Sequence, residues 1–341
     1  MRFCPSCKDN ASSRSSLSNN NNNNNNNNSK SKNSSSSNSN TSSSDNEEGF
    51  IEPKFPISQY EFIEGRNFRQ LSGASPFLPC DDEESERLQL NYLLFKTVFK
   101  KTHFPPIEDD LKRGIRVLTV RIGPGHWVKD MAETYPNSHF TGTDEVIYPI
   151  SDPPPNCHLR IANAAKGLPF ADNTFDYVAQ HDTILTYTRE EWDKAIAELV
   201  RVLKPGGWLQ LVETSGILQD VGPNLSIWLM RVTVSLQTRN IHLKFGPKLH
   251  EVLEAHSGVT DVTYSHRSIP IGWLGKLGDL GLECLERMFD SMKPRLCDDW
   301  SMNLQKYEKM AQAAAKECQE FRSWTNIHYA YCRKKLPNED E

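Results

Sequence analysis

Two kinds of hydrophobic periodicity alternate along residues 116–215 of this chain. Short apolar segments typical of β-strands are separated by segments with helical spacing. The strand-like segments are RVLTVRI, SHFTGTD, CHLRIANA, FDYVAQ and WLQLVE. Strands that alternate with helices pair in parallel through right-handed crossovers, which place helices on both faces of the sheet. The pattern therefore predicts an α/β fold with a doubly wound, mostly parallel sheet.

The helix predicted between the last two of these strands has clear boundaries. Thr188 and Glu191 have the spacing of a capping box. The apolar face that follows contains Trp192, Ile196, Leu199 and Leu203. The sequence KPGG then predicts the end of the helix, because proline cannot continue the hydrogen-bond ladder and Gly206 or Gly207 can adopt a positive φ.

The part of the chain before the alternating segments has two distinct compositions. Residues 11–48 are nearly all Ser and Asn, and they lack the apolar side chains that offset the entropy cost of ordering. We therefore expect residues 1–52 to form a disordered tail. From Asp81 the chain begins acidic and ends basic, which favours a helix. Apolar residues at helical spacing support it, and they are Leu88, Tyr92, Phe95 and Phe99.

The turn between the first strand and its helix contains Gly123 and Gly125, and Asp144 ends the second strand. In open α/β sheets, ligands lie beyond the carboxyl ends of the strands, with this first turn beneath them. A carboxylate at the position of Asp144 can accept hydrogen bonds from both hydroxyls of a ribose. The arrangement predicts a site for a cofactor that contains adenosine.

A nicotinamide cofactor is an alternative for such a turn. Dinucleotide sites use a third glycine where the helix packs against the strand, and Val128 occupies that position. The sequence therefore disfavours an NAD-dependent oxidoreductase.

Three stretches together resemble the class I S-adenosylmethionine-dependent methyltransferases, of a type best known from fungi. They are VLTVRIGPGHWVKDMAETYPNSHFTGTD, GLPFADNTFDYV and ELVRVLKPGGWLQLVE. The resemblance implies a Rossmann-like, seven-stranded sheet with a late antiparallel hairpin. It also implies an N-terminal helical segment at 53–110, a cofactor-binding core at 111–215, and a helical cover with sheet-closing strands at 216–341.

The same resemblance implies a site for S-adenosylmethionine. Gly123 and Gly125 would pass close to the methionine part of the cofactor, and Asp144 would bind the ribose. Asn163 and Ala164 would lie against the adenine, although Asp is commoner than Asn at the first of these positions. Gln180 would contact the methyl-sulfonium end, or would instead satisfy polar groups of the loop that follows.

His181 is the candidate general base, because it follows the fourth strand together with Asp182. Its alternative is a polar loop residue beside the sheet. Methyl transfer requires no fixed catalytic residue, since much of the catalysis comes from alignment in a dry pocket.

The loop departs from the family pattern at three positions, where Thr119 replaces an acidic residue, Arg121 replaces the first glycine, and Ile122 replaces a small residue. A non-glycine residue with positive φ costs on the order of 1–2 kcal/mol. The Arg121 guanidinium could repel the sulfonium, extend into solvent or pair with the cofactor carboxylate. The sequence leaves these outcomes open.

Charge and composition argue against several other classes of protein. The net charge is −5 and the basic residues are dispersed, which argues against a nucleic-acid partner. The apolar runs are too short for a membrane helix, and no secretory signal follows Met1, so we expect a cytoplasmic or nuclear protein. Cys4 and Cys7 supply only half of a tetrahedral zinc site, so no metal is predicted.

Two functional hypotheses follow. The first is a methyltransferase acting on a small molecule or a protein side chain. The second is a methyltransferase-like protein that has lost catalysis and acts through a regulatory protein partner.

Overall fold

A computed structural model of the protein describes residues 60–69, 76–145 and 152–339. The expected disordered tail and the Cys4–Cys7 pair lie outside these residues. The described chain forms nine strands and eight helices, in addition to short 3-10 turns. The strands are β1 (Tyr60–Ile63), β2 (Arg66–Arg69), β3 (Arg116–Val120), β4 (His139–Asp144), β5 (Cys157–Ile161), β6 (Phe175–His181), β7 (Leu203–Gln219), β8 (Val259–Pro270) and β9 (Trp324–Lys334).

The helices lie before, between and after the strands of the core. They are α1 (Asp82–Phe99), α2 (Glu108–Arg113), α3 (His126–Thr134), α4 (Arg189–Val202), α5 (Pro223–Gln237), α6 (Leu249–Glu254), α7 (Lys276–Asp299) and α8 (Leu304–Glu320). None of the helices in the described ranges is long and apolar enough to cross a membrane.

Seven strands form the main sheet in the order β5-β4-β3-β6-β7-β9-β8. The first five pair in parallel, and β9 runs antiparallel to both of its neighbours. The order reverses between β3 and β6, which is where ligands bind in open α/β sheets. The predicted Rossmann-like sheet with late antiparallel pairing is confirmed.

Local sequence signals account for the boundaries of the central elements. Both hydrogen bonds of the predicted capping box are present, from Glu191 N to Thr188 Oγ1 and from Thr188 N to Glu191 Oε2. α4 ends at Val202, and Gly206 has a φ of +78°. Apolar residues of α4, such as Trp192 and Leu199, pack against apolar residues of the sheet in one core.

The N-terminal segment differs from the helical expectation, because β1 and β2 form an antiparallel hairpin ahead of α1. Its turn consists of Glu64 and Gly65, with φ values of +47° and +83°. Positive φ at both turn residues matches the twist of the flanking strands. α1 itself forms as expected, with the Asp81 side chain accepting from Glu84 N at its first turn.

Candidate functional site

The loop between β3 and α3 retains a glycine-rich backbone conformation despite its altered sequence. Residues Arg121, Gly123 and Gly125 have φ values of +56°, +52° and +80°. Gly125 precedes the first turn of α3, where its carbonyl accepts from Lys129 N at 2.9 Å. Arg121 therefore occupies a left-handed position that favours glycine, at a cost on the order of 1 kcal/mol.

The Arg121 side chain turns onto the acidic end of β4. Its Nη1 lies 3.2 Å from Asp144 Oδ1 and 3.4 Å from Glu145 Oε2, and Nη2 donates to Thr186 Oγ1 at 3.2 Å. The Arg121 side chain is 21% exposed, and that of Asp144 is 6% exposed. The residue expected to bind ribose is thus already paired with the substituted residue of the loop.

Asp144 also fixes the loop backbone. Its Oδ2 accepts a hydrogen bond from Gly123 N at 2.9 Å. Beside it, Glu145 accepts from Lys166 Nζ at 2.8 Å. Burial alone would raise the pKa of the Glu145 carboxyl, but hydrogen bonds from Asn163 and Lys166 and the charge of Arg121 outweigh burial and lower it. Both carboxylates are therefore anchored by cationic neighbours.

A cavity of about 450 Å³ lies next to this loop. Thr119, Ile122 and Gly123 contribute to its wall from the sheet and the loop, and α1 and α7 contribute from the covering layer. Much of the remaining wall is apolar, including Phe95 and Met288. Its size lies within the usual range for small-molecule sites.

Only part of the expected cofactor set lines this cavity. Gly123 and Asp144 do, whereas Gly125, Asn163, Ala164 and Gln180 are not among the lining residues. The last three are buried. Asn163 Oδ1 already accepts from Ala165 N at 2.8 Å, so the carbonyl expected to face an adenine amino group caps a short 3-10 turn instead. Contacts of these four residues with a cofactor stay a prediction.

Gln180 belongs to a buried polar network. Its Nε2 donates to Thr183 Oγ1 at 3.0 Å, and Thr183 in turn donates to the Glu213 carboxyl through both its hydroxyl and its amide. Ile184 N adds a further donor at 2.9 Å. The position therefore supports the second sequence interpretation of Gln180, in which it orders the loop after β6.

Glu213, in the second half of β7, lines the cavity and is 1% exposed. Burial and the charge of Asp182 raise its pKa to about 8, although the hydrogen bonds from Thr183 and Ile184 act in the opposite direction. The carboxyl group is thus mainly protonated at neutral pH. The sequence signal for Glu213 is an acidic residue directly after the apolar run WLQLV.

His181 lines the cavity but does not have the properties of a general base. Burial lowers the pKa of its imidazole to about 3. Its Nε2 lies 3.0 Å from Gln210 Nε2, and Gln210 Oε1 accepts from Phe104 N. The amide therefore donates to His181 Nε2, which leaves this ring nitrogen without a free lone pair. His181 acts here as a fixed, neutral hydrogen-bond acceptor.

Sequence reasoning also missed a buried ion pair in the covering helix α1. Arg87 donates to both carboxylate oxygens of Glu84, at 2.7 and 2.8 Å, and the two side chains are 2% and 3% exposed. Both residues line the cavity. The sequence feature that could have revealed this pair is the position of two charged residues close to the helix face that carries Leu94 and Phe95.

No cluster of His, Cys, Asp and Glu suitable for a metal ion occurs in the described part of the chain.

A family comparison matches the part of the chain that contains the β3–α3 loop. Residues 117–207 match the methyltransferase domain, and this range includes the β3–α3 loop, Asp144 and the β6 terminus. Residues 117–207 thus form a methyltransferase domain, of the class I S-adenosylmethionine-dependent type. In this methyltransferase domain, the substituted loop occupies the position of the family's glycine loop, and Asp144 follows at the end of the next strand.

Two curated fungal relatives illustrate the range of similar proteins. "Secondary metabolism regulator laeA" of Coprinopsis cinerea is 26% identical over 225 residues, which cover 61% of this chain and 56% of that protein. "N-methyltransferase sirN" of Leptosphaeria maculans is 31% identical over 147 residues, covering 42% of this chain and 51% of that protein. The chain spans about half the length of these relatives.

Among solved structures, Haemonchus contortus phosphoethanolamine N-methyltransferase 2 in complex with S-adenosyl-L-methionine is similar to this methyltransferase domain. The TM-score is 0.44 at 16% identity, and the match covers 79% of this chain and 62% of that one.

Proposed function

We propose that the protein binds S-adenosylmethionine beside the β3–α3 loop and transfers its methyl group to a small-molecule or protein acceptor. The observation that carries this proposal is the loop itself. Its backbone keeps three left-handed φ values, and Gly123 N remains bound to Asp144, beside a cavity of about 450 Å³. This conformation keeps Gly123 and Asp144 together in the cavity wall.

The donors and acceptors present fit such a cofactor. A carboxylate offers about four lone-pair sites, and Asp144, which accepts from Gly123 and Arg121, lies in the cavity wall where a ribose hydroxyl would compete with Arg121. Gly123 lacks a side chain where the backbone borders the cavity. Glu145 is negatively charged next to the same place, and both acids favour a cationic ligand. Once bound, S-adenosylmethionine supplies an electrophilic methyl group on a sulfonium.

Arg121 controls access to Asp144, which is 4% exposed. For ribose to reach the carboxylate, the guanidinium must move towards Glu145 and Thr186 or out to solvent. Breaking one charge-assisted hydrogen bond costs about 1.5–3 kcal/mol. That cost lowers the cofactor affinity by roughly 10- to 100-fold. Arg121 thus lowers the affinity for the cofactor but leaves the rest of the site intact.

The chain's contribution to catalysis is alignment and exclusion of water. The cavity wall formed by Trp127, Phe95 and Ile269 is apolar, so an acceptor held there is desolvated next to the methyl donor. His181 is neutral and its Nε2 is occupied, so it does not remove a proton from the acceptor. The best acceptor is therefore a nucleophile that needs no strong base.

The Arg121–Asp144 ion pair favours a second candidate function, a methyltransferase-like regulatory protein without catalysis. In that case the ion pair would replace the cofactor as the structural element that holds the loop. The relative described as a secondary metabolism regulator is compatible with this alternative. The two candidates differ in whether the natural protein binds the cofactor.

Isothermal titration calorimetry of the full chain with S-adenosylhomocysteine distinguishes them. The methyltransferase proposal predicts a dissociation constant below about 1 mM, which corresponds to a binding free energy beyond about −4 kcal/mol. Adenine alone serves as the control ligand, because it cannot engage Asp144. The absence of heat from S-adenosylhomocysteine at millimolar concentration would refute cofactor binding and favour the regulatory alternative.

A further inference from the structure

The Arg87 guanidinium is buried against the cavity with an incomplete set of hydrogen bonds. Nε and Nη2 donate to the Glu84 carboxylate, and Ser291 Oγ donates to the same carboxylate at 2.7 Å. Nη1 is buried and has no hydrogen-bond acceptor among the residues that the structure describes. Buried donors of this kind are rare in folded proteins, because an unsatisfied donor loses its hydration without compensation.

The charge of Arg87 is already balanced. Burial alone lowers its pKa, but the carboxylates of Glu84 and Asp182 outweigh burial and raise it. The guanidinium therefore stays cationic between two acids. An additional anion would gain little here, because Asp182 and Glu84 would repel it. The group that Nη1 lacks is thus a neutral hydrogen-bond acceptor.

The surroundings restrict the rest of the ligand. Arg87 lines the same cavity as Asp144, and the apolar part of the wall of this cavity includes Leu94, Phe95, Leu285 and Met288. These side chains offer contact area and no hydrogen bonds. A ligand that contacts these side chains and Arg87 is therefore largely apolar, with a hydrogen-bond acceptor at Arg87.

We propose that Arg87 binds a neutral carbonyl oxygen of a largely apolar small molecule in this cavity. This binding does not depend on the proposed methyltransferase function. Glu84 acts as the positioning residue that holds the guanidinium plane, and Ser291 holds Glu84. Arg87 then discriminates among apolar molecules by a single donated hydrogen bond.

Three naphthalene derivatives of similar shape test the proposed chemistry without any cofactor. They are 2-acetylnaphthalene, which carries a neutral carbonyl, 2-isopropenylnaphthalene, which is its apolar isostere, and 2-naphthoate, which carries a carboxylate. We expect the ketone to bind the full chain about tenfold more tightly than the other two, the factor that one hydrogen bond supplies. Equal affinities, tightest binding of the carboxylate, or no binding of any probe at about millimolar concentration would overturn the proposal.

Variants locate the effect at Arg87. Because Arg87→Met alone would strand the buried Glu84 carboxylate, the decisive variant is E84Q/R87M, which removes both charges. We expect it to abolish the preference for the ketone over the alkene. R295M is the matched control, since Arg295 is also a buried arginine but does not line the cavity. It should keep the full preference.

Arginine side-chain nuclear magnetic resonance of the unmodified protein keeps the test decisive if the double variant fails to fold. The ketone should shift the Arg87 guanidinium resonances and slow their hydrogen exchange, whereas the alkene should do neither. An unchanged Arg87 signal at saturating ketone would refute the contact. Calorimetry with S-adenosylhomocysteine reports separately on the cofactor site, so the two proposals can fail independently.

Discussion

The Arg121 guanidinium lies 3.2 Å from Oδ1 of Asp144 and joins the substituted position of the glycine loop to the end of the neighbouring strand. Asp144 Oδ2 is held at the same time by Gly123 N. The arginine that stands where the family has a glycine thus supplies a partner for the acid at the end of β4. The loop conformation and the Asp144 carboxylate are thus held together by an internal ion pair.

Asp144→Asn should destabilise the protein more than the same substitution at Asp176, a more exposed acid. Asp144 and Asp176 both accept hydrogen bonds from a backbone amide and from a cationic side chain, but their side chains are 6% and 30% exposed. We expect Asp144→Asn to cost about 2 kcal/mol in the free energy of unfolding and Asp176→Asn under about 1 kcal/mol. Denaturant unfolding measures both. Equal losses would mean that the Arg121 pair contributes no more than a surface pair.

The His181 imidazole should not titrate in the neutral range. Its pKa is lowered to about 3, whereas a histidine in the urea-unfolded chain should titrate near 6.5. The Cε1–Hε1 resonance of His181, assigned with His181→Gln, should show no inflection between pH 5 and 8. An inflection near pH 6–7 would restore His181 as a candidate general base.

Glu213 should make the protein less stable as the pH rises from 6.5 to 8. Its folded pKa is raised to about 8, so the folded state holds a proton that the unfolded state has released above about pH 4.3. This stabilisation is complete below the unfolded pKa and is lost as the pH passes the folded pKa. The expected loss is up to about 1.4 kcal/mol per pH unit, and the actual slope will be smaller near pH 8.

Glu213→Gln should abolish that slope in denaturant unfolding measured at several pH values. Glu198→Gln is the control, because the Arg201 hydrogen bond lowers the pKa of Glu198, and the slope should persist in that variant. The range from pH 6.5 to 8 is chosen because histidines whose pKa is lowered, such as His328, affect stability mainly below about pH 6.5. A slope unchanged by Glu213→Gln would show that the group is ionised in the folded protein.

The elements that sequence reasoning predicted well are those fixed by local signals. The capping box at Thr188 and the positive φ of Gly206 depend on neighbouring residues alone, and the apolar periodicity of β3 to β7 determines which faces are buried. The hairpin of β1 and β2 was missed because RNFR has few apolar residues, although Gly65 marked its turn.

The site was less predictable because its decisive contacts join distant parts of the chain. The sequence left three outcomes open for Arg121, yet the guanidinium reaches Asp144 and Thr186, which lies 65 positions away. The orientation of such a long side chain depends on which acceptors the fold brings near it. The buried carboxylate of Glu84, which pairs with Arg87, likewise accepts from Ser291 of α7, 207 positions away.

The affinity of Arg121→Gly for S-adenosylhomocysteine tests the central claim most directly. Arg322→Gly is its matched control, because Arg322 is an exposed arginine with a φ of +55°, so both variants relieve the same backbone strain. Calorimetry should show that Arg121→Gly binds roughly 10- to 100-fold more tightly than the natural protein, while Arg322→Gly is unchanged. Equal affinities of Arg121→Gly and the natural protein would contradict the claim that Arg121 restricts an otherwise intact cofactor site.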